Sequence, residues 1–283
     1  MSDELKALRR VEIRLPEEPD TDPTFPFSIP SIRSLDVLEM DTPVVLFVGE
    51  NGSGKSTLLE ALAIASRLPT VGSQSAAHDK TLEAQRRLAL CLKLVWGRRS
   101  HRGFFLRAED FFGFARRLAE LRQGFLDDLT TIDKEYHDRS DLARMLAAAP
   151  ARRSLGEMEG RYGENLDARS HGESFLQLFQ SRLVPQGLYL LDEPEAALSP
   201  QSQLAFLAMI KNSVDDGSQF VIATHSPILM SIPGATILSF DEIPVQPVAF
   251  DDIEHVSLMR DFLLSPERFL RHLWTDENGS GAS

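Results

Sequence analysis

Gly49-Glu50-Asn51-Gly52-Ser53-Gly54-Lys55-Ser56 fits the pattern G-x-x-x-x-G-K-[ST] of a phosphate-binding loop. The spacing serves the chemistry. Glycines let the backbone curl so that several N–H groups converge on one anion, the lysine adds a point charge for the outer phosphates, and the serine hydroxyl can ligate Mg²⁺. The flanks agree. Val44-Val45-Leu46-Phe47-Val48 is a short apolar run expected to be a buried strand, and Thr57 to Ser66 is expected to be a helix with its N-terminus toward the phosphates.

The rest of the chain alternates strand-like and helix-like segments. Residues 8–15 are expected to form a first strand, and the prolines between Pro16 and Pro43 keep the following chain extended or turning. Residues 69–80 read as a loop. Leu88, Leu90, Leu92, Leu94 and Trp96 alternate with other residues, which predicts a strand, paired as a hairpin with a second strand at Phe104–Leu106 through the turn Gly97–Gly103. Residues 110–149 read as helical, with Phe111, Phe114, Leu118, Leu121 and Phe125 on one packed face. Residues 150–170 read as irregular. A helix is expected from Ser174 to Leu183, a buried strand over Leu188–Glu193, and a helix over Pro200–Val214. Strands follow at Ser218–Thr224 and Ala235–Phe240, with an edge strand at Val245–Phe250 and closing helices over 252–274. This order implies an α/β fold with a largely parallel sheet covered on both faces.

Leu188-Tyr189-Leu190-Leu191-Asp192-Glu193 ends an apolar strand in two acids. In open α/β sheets the carboxyl edge is where ligands bind, and phosphate-loop ATPases place a carboxylate there to hold Mg²⁺. The next acid can orient or deprotonate an attacking water. Upstream, Ser170-His171-Gly172-Glu173-Ser174 opens a helix, which suits an anion. Downstream, Ala223-Thr224-His225-Ser226-Pro227 ends the next strand, where a histidine can reach a terminal phosphate.

Composition narrows the class. The chain has 283 residues, 42% hydrophobic and 25% charged, as in ordinary globular proteins, and no apolar run reaches membrane-spanning length. The start, MSDELKALRR, lacks the apolar stretch of a secretion signal, so a cytoplasmic location without membrane insertion is expected. The single cysteine, Cys91, excludes an internal disulfide or a Cys-based metal site, and a packed thiol is expected there. The net charge of −12 argues against broad adhesion to nucleic acid. One basic stretch, Arg86, Arg87, Lys93, Arg98, Arg99, Arg102 and Arg107, is either a solvated hairpin face or a site for a polyanion or acidic partner.

Taken together, these pieces resemble the ABC-type ATPase superfamily over about residues 8–240. Gly49–Ser56 looks like its Walker A, Leu188–Glu193 its Walker B, Ser170–Ser174 a variant of its LSGGQ signature, Ala196–Pro200 its D-loop and His225 its switch histidine. The phosphate loop GENGSGKST and the continuation DEPEAALSP are similar to the non-transporter, SMC/RecF-like branch of AAA family ATPases, without room for a long coiled coil. His171 and Glu173 depart from the signature, Ser199 replaces the D-loop aspartate, Glu109 stands in the place of the Q-loop glutamine, and Phe25 and Phe27 are weak candidates for contacting adenine.

The resemblance implies a P-loop NTPase head with a mainly parallel core sheet, an antiparallel β part and a helical insertion at about 109–169. It would form one domain over 1–275, with residues 276–283 a disordered tail. It further implies ATP and Mg²⁺ as cofactors. ATP would be held by Glu50, Asn51, Gly52, Ser53, Gly54, Lys55, Ser56 and Thr57, and the metal by Ser56 and Asp192, with Glu109 a candidate. Glu193, His225 and Lys55 would be catalytic, and Ser170, His171, Gly172 and Glu173 would cap the ATP of a second copy in an ATP-dependent homodimer. The expected function is ATP hydrolysis in DNA transactions, repair or genome defence, with DNA or another protein as partner. The alternatives are a subunit of a membrane transporter and a nucleotide-switched scaffold for a nuclease or toxin.

Overall fold

In the computed structural model, residues 7–15, 24–71, 82–162 and 171–271 are described. Five strands run parallel in the main sheet: β3 (Val44–Val48), β5 (Gly103–Arg107), β6 (Leu188–Asp192), β7 (Gln219–Ala223) and β8 (Thr236–Ser239). The two-residue β9 (Gln246–Pro247) closes one edge antiparallel to β8, giving the order β5-β6-β7-β3-β8-β9. A separate antiparallel sheet places β1 (Leu8–Ile13) between β2 (Val37–Glu39) and β4 (Leu92–Trp96). The fold class is therefore the α/β arrangement expected, with a mainly parallel sheet, an antiparallel part and helices.

Every residue of β3 and β7 is buried, as parallel strands covered on both faces require. The period of two divides them between two cores. Val45, Phe47, Val221 and Ala223 pack with Leu58, Leu59 and Leu62 of helix α2 (Lys55–Ser66) and with Leu8, Val11 and Ile13 of β1. Val44, Leu46, Phe220 and Ile222 pack on the opposite face against Phe175 and Phe179 of α6 (His171–Arg182) and Phe206 and Ile210 of α7 (Pro200–Asp215).

A buried glutamine side chain ties the two sheets together. Gln219, 1% exposed, accepts the Leu8 N–H through Oε1 at 2.7 Å and donates Nε2–H to the Leu8 carbonyl at 2.8 Å. An amide side chain here acts as a short piece of backbone and satisfies both polar groups of Leu8 in a buried setting.

The expected hairpin does not form. Glu83–Leu90 is helix α3, β4 pairs with β1, and β5 lies parallel to β6 in the other sheet. The residues EAQRRLAL are mostly good helix formers with an acid at the start and a base at the end, and these preferences outweigh the leucine alternation. Leu90 is 89% exposed, so its place in that alternation was accidental. At the start of β5, Gly103 (φ 116°) lies so close to β6 that a Cβ would sit 1.8 Å from the Leu188 carbonyl oxygen.

Residues 150–162 are not irregular. They complete α5 (Asp141–Tyr162), which packs on α4 (Ala108–Glu135). Ala148, Ala151 and Met158 are buried, Arg153 pairs with Glu157 at 3.0 Å, and isolated glycines at 156 and 160 cost too little to break the helix. On α4, Phe111 and Leu118 are buried as expected, whereas Leu121 is 58% exposed. The edge strand expected over Val245–Phe250 shrinks to β9 and a 3₁₀ turn at Phe250–Asp252, in a stretch containing Pro244 and Pro247. Cys91 is partly buried at the C-terminal end of α3. Most of the loop expected at 69–80, and the tail 276–283, lie outside the described residues. Among the described residues, no helix is long and apolar enough to cross a membrane.

Gln219→Leu leaves two buried backbone groups of Leu8 unpaired, and urea unfolding should show a loss of about 2–4 kcal/mol. A loss below about 0.5 kcal/mol would mean that the two sheets do not depend on this clasp.

Candidate functional site

Strand order brings the site together. β6, β7 and β3 are adjacent and parallel, so the segments that follow them emerge side by side at one carboxyl edge: Asp192–Glu193, Thr224–His225 and the loop Gly49–Gly54. Gly49, Gly52 and Gly54 have φ of 141°, 80° and 102°, conformations that turn N–H groups inward and that other residues adopt at a cost. The cradle is also built closely. A Cβ on Gly54 would meet Ser31 Oγ at 2.8 Å, and Ser31 donates to the Ser53 carbonyl from helix α1 (Pro30–Ser34). A Cβ on Gly49 would meet Asp241 Oδ1 at 2.8 Å, the oxygen that accepts the Glu50 N–H at 2.7 Å. Asn51 and Gly52 form the exposed turn of the loop, Ser53 and Gly54 lead into α2, and Ser56 and Thr57 lie partly buried in its first turn.

Lys55 is buried, and its ammonium donates to the carbonyl oxygens of Gly49 and Glu50, both at 2.7 Å. Burial lowers its pKa, and Asp241, Glu193, Asp192 and Glu50 oppose that shift. Ser56 Oγ donates to Asp192 Oδ1 at 2.9 Å. Burial pushes the Asp192 carboxyl up to about 7, with neighbouring Glu60, Glu193 and Glu195 adding to the effect and the Ser56 bond opposing it. A half-buried carboxylate beside a hydroxyl, with acids behind it, suits a hard divalent cation bound through oxygen.

Asp192 and the next residue diverge because Glu193 is left-handed, at φ 49° and ψ 49°. Its N–H bonds the Ala223 carbonyl of β7 at 2.9 Å, and its carboxylate lies 3.8 Å from His225 Nε2. Burial, with Lys55 next, lowers the His225 pKa, so the imidazole is neutral at pH 7 and the contact is a proximity rather than an ion pair.

Behind Asp192 stands a buried charge network that the sequence reading missed. Glu60, one helical turn after Ser56, accepts from Gln85 at 2.9 Å and from Arg107 at 3.3 Å. Arg107 sits in β5 opposite Asp192 in register and is also gripped by Asp110 through two bonds of 2.8 and 3.1 Å. Glu109 pairs with Arg107 at 3.3 Å while its side chain is 75% exposed. The acid that presses on Asp192 from this side is Glu60. The spacing of Ser56 and Glu60 by four residues, one helix face, was the available signal.

Ser170 lies outside the described residues, and His171 opens α6. Gly172 is buried, where a Cβ would meet Ser202 Oγ at 3.0 Å and the Ala197 carbonyl at 3.4 Å, while Glu173 is exposed in the first helical turn. Gly172 is thus a neighbour of the segment Ala196–Pro200, whose Ser199 caps α7 by accepting from the Ser202 N–H at 3.2 Å. Phe27 packs at the edge of the core under the Arg87 guanidinium, 5.3 Å from its ring centre, and Phe25 is exposed. The basic stretch is largely engaged within the chain. Lys93 pairs with Glu12 at 2.8 Å, and Arg98 reaches the carbonyls of Gln186 and Gly217 at the amino end of the sheet.

Comparisons with known proteins agree with this geometry. A family model described as an AAA domain matches residues 27–77, and one described as "AAA domain, putative AbiEii toxin, Type IV TA system" matches residues 105–231. The chain is 30% identical over 210 residues to the cytochrome c biogenesis ATP-binding export protein CcmA of Rhodospirillum rubrum, covering 72% of this chain and 76% of that one. It is 28% identical over 225 residues to the macrolide export ATP-binding/permease protein MacB of Rhodopseudomonas palustris, covering 78% of this chain but 30% of that longer protein. Among solved structures, the Smc head domain of Pyrococcus furiosus aligns with a TM-score of 0.44 at 13% identity, over 91% of this chain and 99% of that one. The match to CcmA over most of both sequences, on a parallel sheet that carries a glycine phosphate loop at its carboxyl edge, places the chain in the ABC-type P-loop ATPase superfamily, whose members bind ATP.

Proposed function

We propose that this chain hydrolyses ATP with Mg²⁺ and works as an ATP-dependent pair. The observation that carries the reading is the convergence, on one sheet edge, of a glycine cradle, a Ser56–Asp192 bond and a Glu193–His225 approach of 3.8 Å. The donor set suits the ligands. The backbone of Glu50 to Thr57 and the Lys55 ammonium would hold a triphosphate, and Ser56 and Asp192 would hold Mg²⁺, which when bound neutralises phosphate charge. Glu193 takes a proton from water at its carboxylate. The neutral His225 presents Nε2 toward the same space and orients the reacting groups.

The chain is taken as one ATPase domain with α4 and α5 as its helical insertion. The segment Ser170–Glu173 of one copy would cap the nucleotide of the other. For biological setting we favour genome defence or DNA transactions. The family description naming a putative toxin system and the sequence Asp192-Glu193-Pro194-Glu195 support this. A transporter subunit is the second reading, favoured by the export and permease names of the relatives. Hydrolysis stimulated by single- or double-stranded DNA at stated salt supports the first reading; co-purification with a multi-spanning membrane protein supports the second.

Lys55→Ala should weaken ATP binding by roughly 10- to 100-fold in titration calorimetry, as loss of charge-assisted bonds to phosphate implies. Unchanged affinity would remove the loop from the nucleotide site. Glu193→Gln should lower kcat by about 10²–10⁴-fold, the usual contribution of a general base, and should trap a dimer on sizing columns with ATP and Mg²⁺. A variant that turns over normally, or stays monomeric at saturating nucleotide, would contradict the assignment.

A further inference from the structure

Glu195 lies two residues past Glu193, in the 3₁₀ turn Pro194–Ala197 that follows β6. It is not a solvated acid. Oε1 accepts from Thr224 Oγ1 at 2.7 Å and from the His225 N–H at 2.6 Å, and Oε2 is buried with no hydrogen-bond partner among the described residues. Burial, with Glu193 nearby, raises its pKa. Placing a carboxylate there costs stability that an apolar side chain would not, so the residue type calls for a functional reason.

The surrounding bonds supply one. The ladder of β7 ends at Ala223, and the Thr224 N–H reaches back to the Phe47 carbonyl of β3 at 3.1 Å. Beyond that point no strand among the described residues offers a partner for the amide of residue 225. Glu195 takes it. Thr224 Oγ1 then accepts the Ser226 N–H at 3.0 Å, and Ser226 Oγ accepts the Leu229 N–H at 3.3 Å and bonds Gln203 of α7. Residues 225 and 226 are therefore fixed by side chains rather than by the sheet. One short turn approaches the histidine from two sides: Glu193 faces its ring, and Glu195 holds its backbone.

We propose that Glu195 is a positioning residue that sets the distance between His225 and Glu193 by tying the turn after β6 to the end of β7. It acts as a hydrogen-bond acceptor, and its charge is not what the site needs. The role rests on the hydrolytic reading of His225, but the bond itself is testable without nucleotide.

The test uses the full chain with Glu195→Ala and Glu195→Gln. In nucleotide-free protein, amide hydrogen exchange at His225, read by NMR, should speed up about 10- to 100-fold in the Ala variant and stay near wild type in the Gln variant, which keeps the acceptor oxygen. In turnover assays Glu195→Ala should lose about 10- to 100-fold in kcat, with ATP affinity by calorimetry held within about threefold, because misplacement hurts the reacting geometry and not binding. Glu195→Gln should recover most of that kcat. Wild-type exchange in the Ala variant overturns the proposal. So does a Gln variant as slow as Ala with the amide still protected, which would make the carboxylate a proton acceptor in its own right. Should Glu195→Ala fail to fold, Thr224→Val removes one of the two donors and carries the same readouts: faster exchange at His225 with lowered kcat supports the proposal, and neither change overturns it. If the chain does not hydrolyse ATP at all, the exchange measurement still decides whether Glu195 fixes His225.

Discussion

The order β6-β7-β3 is the constraint from which the rest follows. β6, β7 and β3 are parallel neighbours in the sheet, and neighbours in a parallel sheet end at the same edge. Once that order is set, the phosphate loop, the Asp192–Glu193 pair and His225 have no choice but to meet. The apolar runs that bury these strands and the polar residues that terminate them are therefore parts of a single device.

The edge concentrates charge that would be costly if left unbalanced. Lys55 is buried and satisfied by loop carbonyls, Asp192 is pushed toward the neutral form, and Glu60 is buried but answered by Arg107. Each group is held in a state that a bound anion or cation can change. A bound triphosphate would give the lysine a stronger partner, and a bound divalent cation would favour the charged form of Asp192. The site is arranged around charges it does not itself supply.

Much of this was legible in the sequence because the phosphate loop has few physical alternatives: its glycines need positive φ, and its lysine and serine must follow at fixed steps. The apolar run Leu188–Asp192 was equally clear, since a fully buried strand tolerates few polar residues. The hairpin failed because leucines two apart on α3 imitate a strand, and only pairing shows that β4 belongs with β1. The partners of Arg107, Glu60 and Glu195 were illegible for another reason. A charged residue in a sequence looks solvated, and only the fold shows that Glu60 meets Arg107 across two elements or that Glu195 reaches a backbone amide just past the end of the next strand. Long-range polar partners leave no periodic trace.

In the proposed function, Ser56 and Asp192 together would hold the cation of the nucleotide site. Titration calorimetry of ATP, with and without Mg²⁺, on the wild type and on Asp192→Asn tests it most directly. The wild type should gain affinity from Mg²⁺, and the variant should lose that gain while binding metal-free ATP as before. An equal Mg²⁺-dependent gain in both proteins would contradict it.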